Sequence, residues 1–95
     1  MAMAYNKVHE EIKATYEAKN RDYGDSFNKS LNHFGIVAAV VRISDKFERL
    51  VNLTNRQRLA KAAVDEPLED TLKDMANYCI MTASWLEDQK NKTWK

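Results

Sequence analysis

Three carboxylates fall on one face of a predicted helix in the last third of the chain. Glu66, Asp70 and Asp74 are spaced at i, i+4 and i+8, and Asn77 continues the row. Carboxylates this close repel one another on a bare helix, and a hard cation offsets that repulsion. Mg²⁺ takes oxygen ligands and commonly bridges carboxylates to phosphate. The row therefore predicts a Mg²⁺ site at which a bound water attacks a phosphate group.

A simpler interpretation is available for the start of this row. Acidic residues in the first turn of a helix complement the positive end of its dipole. This explanation suits Glu66, whereas Asp74 and Asn77 lie too far into the helix for it.

An earlier predicted helix carries a second charged cluster. Asp45 and Glu48, three residues apart, are further candidate ligands for the cation. The cationic side chains of Arg42, Lys46 and Arg49 are candidate partners for phosphate oxygens, since they form charge-assisted hydrogen bonds. The alternative is a solvated helix face carrying ion pairs between neighbouring residues.

A polar segment after the first predicted helix adds two candidate contacts. Lys19 is a further cation, and Tyr23 could stack on a base or pack on the core. The alternative is an ordinary turn over residues 19–25, in which Gly24 takes a positive φ and ends the helix.

Apolar residues recur at steps of three and four in three segments, which predicts three main helices. These helices are expected over residues 5–19, 34–53 and 67–87 or beyond, the last beginning at Asp65-Glu66-Pro67. Residues 26–33 are either a short helix or a loop, and residues 54–64 are expected to be a loop with some helix. The stripes expected to face the core are Tyr5, Val8, Ile12 and Tyr16; Ile36, Val40, Ile43, Phe47 and Leu50; and Leu68, Leu72, Met75, Cys79, Ala83 and Leu86.

Length and composition favour one small all-α domain over residues 1–95, with a frayed tail at about 90–95. The chain has 2 Gly and 1 Pro in 95 residues, so helix breakers are scarce. A domain of this size buries a modest fraction of its surface. We therefore expect a helical bundle completed by homo-oligomerisation.

The charge balance bears on the partners of the protein. With 15 Lys and Arg against 14 Asp and Glu, a broad nucleic-acid surface is not expected, although Arg56, Arg58 and Lys61 form a local basic segment. The single cysteine, Cys79, is expected in the core and cannot form an internal disulfide. No apolar signal segment or membrane span is visible, so we expect a soluble cytoplasmic protein.

Three blocks of sequence, residues 19–24, 42–53 and 65–78, together resemble the nucleotide modification associated domain 1 family, whose members are common in phages. That family in turn resembles the all-α NTP pyrophosphohydrolases, which include MazG-like proteins and dimeric dUTPases. The resemblance extends over roughly residues 8–87. It implies a helical bundle completed by dimerisation, with Mg²⁺ held by carboxylates from two helices. The implied reaction is cleavage between the α and β phosphates of a nucleoside triphosphate.

The superfamily pattern is an ExxE pair on one helix and an ExxD pair on the next. Asp45 and Glu48 correspond to the first pair, but the second is incomplete because Thr71 stands three residues before Asp74. Asp70 is the nearest acidic substitute. The candidate site residues are therefore Asp45, Asp70 and Asp74 for catalysis; Asp45, Glu48, Glu66, Asp70 and Asp74 for Mg²⁺; and Lys19, Tyr23, Arg42, Lys46, Arg49 and Asn77 for the nucleotide.

Three functions remain open at this point. The first is Mg²⁺-dependent nucleotide pyrophosphohydrolysis, or nucleotide binding alone, in phage-type nucleotide metabolism. The second is a non-catalytic helical module in which the apolar stripes form a dimer or a protein-binding surface. The third is a small nucleic-acid binder that uses the basic segment.

Overall fold

The computed structural model describes the backbone of residues 2–23, 25–60 and 66–93, and the side chains of residues 4–21, 25–55 and 67–92. The described backbone forms four helices: α1 (Ala2–Tyr23), α2 (Ser26–Phe34), α3 (Val37–Ala60) and α4 (Glu66–Thr93). The predicted all-α class is therefore confirmed. Across these described residues, no helix combines the length and hydropathy that crossing a membrane requires.

The helices are longer than the apolar periodicity predicted. Helix α1 continues past residue 19 to Tyr23, α3 continues past residue 53 to Ala60, and α4 reaches Thr93. Residues 26–33, left open between helix and loop, belong to α2. Residues 19–23 and 54–60 are polar but contain no Gly or Pro, and several are strong helix formers. Polarity alone does not end a helix.

Two backbone corners separate the first three helices. At the first corner Asp25 is left-handed, with φ 62° and ψ 37°, and its carbonyl oxygen accepts the Lys29 N–H at 3.2 Å. Gly24, the residue predicted to make this turn, lies outside the described residues. At the second corner Gly35 has φ 73° and ψ −160°, a conformation essentially confined to glycine. Its N–H donates to the Leu31 carbonyl at 2.8 Å and closes the end of α2.

Helices α3 and α4 form an antiparallel hairpin that is the main packing unit of the molecule. Two side-chain contacts show that the helices are antiparallel. Lys46 contacts Asp74, whereas Arg49, nearly one turn later in α3, contacts Thr71, which comes earlier in α4. Helix α1 packs on α4, and α2 packs on both helices of the hairpin.

The interior of this arrangement is small. Among the described residues, the buried apolar side chains are Leu31 and Ala39, and the buried polar ones are Thr71, Asn77 and Thr82. The two threonine hydroxyls donate to the carbonyl oxygens four residues earlier in α4, each at 2.7 Å. These bonds satisfy the hydroxyls within their own helix.

The apolar stripes predicted to face the core are largely exposed in the single chain. Val40 and Phe47 on α3 and Leu72 on α4 are exposed. Cys79, expected in the core, is also exposed. The reason is topological, because α2 and α1 pack against other sides of the hairpin.

Candidate functional site

A charged cluster joins the middle of α3 to the first half of α4. The Lys46 ammonium lies 3.4 Å from Asp74 Oδ2, and the Arg49 Nε–H donates to Thr71 Oγ1 at 3.1 Å. Lys46 and Arg49 are three residues apart, as are Thr71 and Asp74, so each pair occupies one face of its helix. The antiparallel register places the two faces opposite each other.

Helix α1 adds a third cation to the same cluster. The Lys19 ammonium lies 3.7 Å from Asp74 Oδ1, so the two lysines approach different oxygens of one carboxylate. Asp74 therefore gathers ammonium groups from α1 and α3 at one point. With Arg49 alongside and Asp70 one turn before Asp74, cations outnumber carboxylates three to two in this cluster.

The cluster lies at one end of a row of three neighbouring pockets that share lining residues, and these three sections are together called the groove. The charged section, of about 390 Å³, is lined by Lys46, Arg49, Pro67, Asp70, Thr71 and Asp74. The middle section, of about 140 Å³, shares Lys46 and Asp74 with it. The aromatic section, of about 480 Å³, continues from the middle one. The side chains common to these last two sections are Tyr16, Asp25, Phe27, Asn77 and Met81.

The aromatic section lies between α1, α2 and the second half of α4. Its apolar lining includes Tyr16 from α1, Phe27 from α2 and Trp85 from α4. The Phe27 ring packs edge-on against Tyr78, with centroids 4.9 Å apart. The Trp85 indole N–H donates to Asn32 Oδ1 at 2.9 Å, which holds α2 over the end of the section. A planar ring entering here would lie among the side chains of Tyr16, Phe27, Trp85 and Asn77.

The structure brings together only part of the predicted site. The predicted residues that line the groove are Lys19, Lys46, Arg49, Asp70, Asp74 and Asn77. Arg42, Asp45 and Glu48 are exposed on α3 and are not among the lining residues of the three sections. The side chains of Tyr23, Glu66, Arg56 and Arg58 lie outside the described residues, as does Lys61.

Sequence reasoning missed the contribution of α2. Phe27 and Leu31, at i and i+4, line the groove together with Asp25 and Asn28. The spacing of Phe27, Leu31 and Phe34 was the available signal, since it marks one apolar face of a short helix. The periodicity does not indicate which helix that face covers.

The charged section offers few oxygen donors for Mg²⁺. Within the described side chains, no three or more His, Cys, Asp or Glu residues are grouped to hold a metal ion. Asp70 and Asp74, one helical turn apart, supply two carboxylates, and the lysines already neutralise Asp74. Mg²⁺ is often bound through one or two carboxylates plus substrate phosphates. The residues therefore fit a Mg²⁺–phosphate complex, but not a cage made of protein ligands alone.

An ion pair fixes α1 against α4 beside the groove. The Lys73 ammonium donates to Glu11 Oε1 at 2.8 Å and also lies 3.3 Å from Glu69 Oε1. The hydrogen bond from Lys73 lowers the pKa of Glu11, and the bond to Glu11 raises the pKa of Lys73. Because Tyr16 and Lys19 lie on the same helix as Glu11, this contact helps to position one wall of the groove.

These features define a small all-α protein with a groove that is cationic at one end and aromatic at the other. The chain belongs to the nucleotide modification associated domain 1 family, whose model matches residues 19–85. The match begins at Lys19 and ends at Trp85, so it spans the described groove residues of α2, α3 and most of α4. Comparisons with curated proteins and with solved structures found no significant match.

Proposed function

We propose that the protein binds a nucleotide in this groove, with phosphates in the charged section and the base in the aromatic section. The observation that carries the proposal is that neighbouring sections of the groove share lining residues. Lys46 and Asp74 line both the charged and the middle sections, and Asn77 and Phe27 line both the middle and the aromatic sections. One elongated ligand with an anionic end and a flat apolar end matches this order of surfaces.

The phosphate end of the proposal rests on three cations from two helices. Asp74 pairs with Lys19 and Lys46, and Arg49 lies beside them in contact with Thr71. A local cluster of this kind can bind phosphate without a broad basic surface. Phosphate oxygens accept charge-assisted hydrogen bonds from lysine and arginine. On binding, the lysines would turn part of their contact from Asp74 to the phosphates.

The base end rests on the shape and chemistry of the aromatic section. Its volume of about 480 Å³ lies within the range of small-molecule pockets. Tyr16, Phe27 and Trp85 offer apolar ring surface, and stacking on aromatic rings contributes about 1–3 kcal/mol per base. Asn77, which is 8% exposed, supplies an amide that can donate to or accept from the sugar or base.

For the reaction, we propose Mg²⁺-dependent hydrolysis of a nucleoside triphosphate to a monophosphate and pyrophosphate. The proposed reaction is the one implied by the resemblance to the all-α NTP pyrophosphohydrolases, and the proposed role is in phage-type nucleotide metabolism in the cytoplasm. Asp70 and Asp74 would hold the ion together with phosphate oxygens. The bound ion would supply neutralisation of the phosphate charge. Lys46 and Arg49 would orient the phosphates, and the aromatic section would fix the nucleoside.

Thermal unfolding provides the test of binding. The protein is heated with and without Mg²⁺ against canonical and modified deoxynucleoside mono-, di- and triphosphates. A ligand at about one hundred times its Kd stabilises the fold by about 2.7 kcal/mol, which raises Tm by roughly 10 °C or more in a small domain. A shift that requires nucleotide and Mg²⁺ together is expected, because the two carboxylates do not form a site without phosphate.

Two variants separate the groove from general charge effects. Asp70→Asn is expected to remove the part of the shift that depends on Mg²⁺, whereas Glu87→Gln, on α4 but outside the groove, is expected to retain it. Absence of any shift across the panel overturns nucleotide binding. If a nucleotide binds, release of pyrophosphate is measured next, and binding without turnover rejects hydrolysis while retaining the binding function.

A further inference from the structure

Two buried threonines of α4 make the same hydrogen bond within the helix, and one of them makes a second bond outside it. Thr71 and Thr82 are 2% and 8% exposed, and each hydroxyl donates to the carbonyl oxygen four residues earlier at 2.7 Å. Thr71 Oγ1 also accepts the Nε–H of Arg49, on α3, at 3.1 Å. Thr71 lines the charged section of the groove, whereas Thr82 lines none of the three sections.

The bond within the helix determines what the second bond of Thr71 can be. A threonine hydroxyl has one hydrogen and two lone pairs. Because the hydrogen is directed at the Pro67 carbonyl oxygen, the hydroxyl can only accept a hydrogen bond from a neighbour. The bond also restricts rotation of a side chain that is already stiff, since threonine is branched at Cβ. Thr71 is thus a fixed and buried acceptor directed at Arg49.

Arg49 is held at one atom of its guanidinium group. That group carries five N–H donors in a rigid planar fork, and the bond to Thr71 uses the one at Nε. Among the described side chains, Arg49 contacts no carboxylate, so the N–H groups of its two Nη atoms are available to a ligand. The side chain is exposed and lines the charged section. A planar fork of this kind matches two oxygens of a phosphate.

The partner of Arg49 is neutral, unlike the partner of the two lysines in the same cluster. Asp74 carries a negative charge that offsets the charges of Lys19 and Lys46. Thr71 carries no charge, so it fixes the direction of the guanidinium without reducing its attraction for an anion. A carboxylate at residue 71 would pair with Arg49 and compete with phosphate for it.

We propose that Thr71 is the positioning residue for Arg49, and that it orients the guanidinium to bind two oxygens of a phosphate in the charged section. This role rests on the proposed binding of phosphates there. The benefit is preorganisation, because an exposed arginine that is already oriented loses less rotational freedom when a ligand binds. Removal of the Thr71 hydroxyl is therefore expected to weaken phosphate binding even though the charge of Arg49 remains.

The affinity for inorganic triphosphate in the presence of Mg²⁺ tests the proposal, since this ligand has no base. Titration calorimetry compares the wild type with Thr71→Val, Thr71→Ser and Thr82→Val. Thr71→Val removes the acceptor and is expected to weaken binding by about 2–10-fold. Thr71→Ser keeps a hydroxyl and should restore most of the affinity. Thr82→Val removes the same bond within the helix, but outside the groove, and should bind as the wild type does.

The same substitution in an Arg49→Met background separates positioning from a general effect on the fold. Without the guanidinium, Thr71→Val has no cation to misplace, so the double variant should bind as weakly as Arg49→Met alone. Additive losses in the double variant, or equal affinities of Thr71→Val and the wild type, overturn the positioning role and leave phosphate binding intact. A wild type that does not bind inorganic triphosphate overturns both the positioning role and the phosphate site on which it rests.

A second measurement leaves residue 71 unchanged and so does not depend on a variant there folding. The Nε–H signals of Arg49 and Arg42 are identified by NMR from their loss in Arg49→Lys and Arg42→Lys. Arg42 is exposed on the same helix and has no hydrogen bond to the described side chains. Exchange of the Arg49 Nε–H with water is expected to be about 2–10-fold slower than that of Arg42. Equal exchange rates overturn the proposal, because Thr71 then does not hold the guanidinium.

Discussion

Asp74 is the residue around which the candidate site is organised. It is contacted by lysines from two helices, and it lies at the junction of the charged and middle sections of the groove. A carboxylate that holds two ammonium groups near a third cation keeps the cations close together and limits their mutual repulsion. The arrangement therefore holds three cations together at one end of the groove.

Lys46 is the best residue for testing this interpretation, because it is the less exposed of the two lysines. Replacing a charged hydrogen-bond donor costs about 1.5–3 kcal/mol where the partner is charged. We therefore expect Lys46→Met to weaken nucleotide binding by about 10–100-fold in titration calorimetry. Lys90→Met is the control, since Lys90 pairs only with Glu87 among the described contacts and lies outside the groove. Equal affinities for the two variants would exclude Lys46 from phosphate binding.

Trp85 can report on the base end of the groove. The chain has 2 tryptophans, so Trp94→Phe leaves Trp85 as the single indole fluorophore. We expect a nucleotide to quench or shift this emission, because a stacked base changes the surroundings of the ring. Inorganic triphosphate, which has no base, should leave the emission unchanged. The same response to both ligands would contradict placement of the base in the aromatic section.

At the scale of the elements, the two corners decide how α2 folds back over the groove. They differ in the backbone conformation that each requires. Asp25 has ordinary left-handed angles that Asp can adopt, whereas the angles of Gly35 are essentially restricted to glycine. A Cβ added at Gly35 would meet no atom within 4 Å. The cost of replacing Gly35 therefore comes from its backbone conformation and not from steric crowding.

Substitutions at these two corners are expected to differ in their effect on stability. Gly35→Ala should lower the free energy of unfolding by about 1–3 kcal/mol, and Asp25→Gly should be neutral or slightly stabilising because it removes the left-handed strain. Chemical denaturation of both variants at one protein concentration measures the difference. Equal destabilisation by the two changes would show that the backbone conformation of each corner does not determine how a substitution there affects stability.

The docking of α1 depends on pH through Glu11 and Lys73. The lowered pKa of Glu11 means that its stabilising effect is present at neutral pH and is lost as pH falls through the acidic range. The raised pKa of Lys73 means that its effect is present below the ordinary lysine pKa and is lost as pH rises through the higher value. The contact is therefore complete between these two limits and weakens on either side.

A comparison of Glu11→Gln with Glu10→Gln checks this behaviour. The Tm difference between wild type and Glu11→Gln is expected to be largest near neutral pH and to shrink as the pH falls through the lowered pKa of the Glu11 carboxyl group. Glu10→Gln, an exposed change on the same helix, should show no such trend. A difference that is constant across the pH range would mean that the ion pair does not fix α1.

At the scale of the whole molecule, stability is expected to depend on protein concentration. If the exposed apolar stripes of α3 and α4 form the core of a dimer, unfolding is linked to dissociation, and mass action shifts the equilibrium. A tenfold increase in concentration corresponds to about 1.4 kcal/mol, which raises Tm by roughly 3–6 °C for an assembly of this size. Calorimetric scans over a hundredfold range of concentration provide the measurement. A constant Tm would indicate that a single chain is the folding unit.

The all-α class, the helical segments and the family could be predicted from the sequence, because each depends on local spacing. Apolar steps of three and four and the scarcity of Gly and Pro identify helices without any knowledge of their partners. The three blocks that suggested the family fall within or overlap the matched residues 19–85. The row of Asp70, Asp74 and Asn77 was also predictable, since i, i+3 and i+4 spacings place side chains on one face of a helix.

Only the tertiary structure decided which helix faces meet. On α3, Asp45 and Lys46 are neighbours in sequence, yet Lys46 enters the groove and Asp45 remains exposed, since one residue is a rotation of about 100°. The apolar stripes of α3 and α4 were expected to face a core or a dimer interface, and the packing of α1 and α2 leaves much of both stripes exposed in the single chain. Periodicity determines the faces of a helix, whereas the partner of each face depends on contacts between residues far apart in sequence.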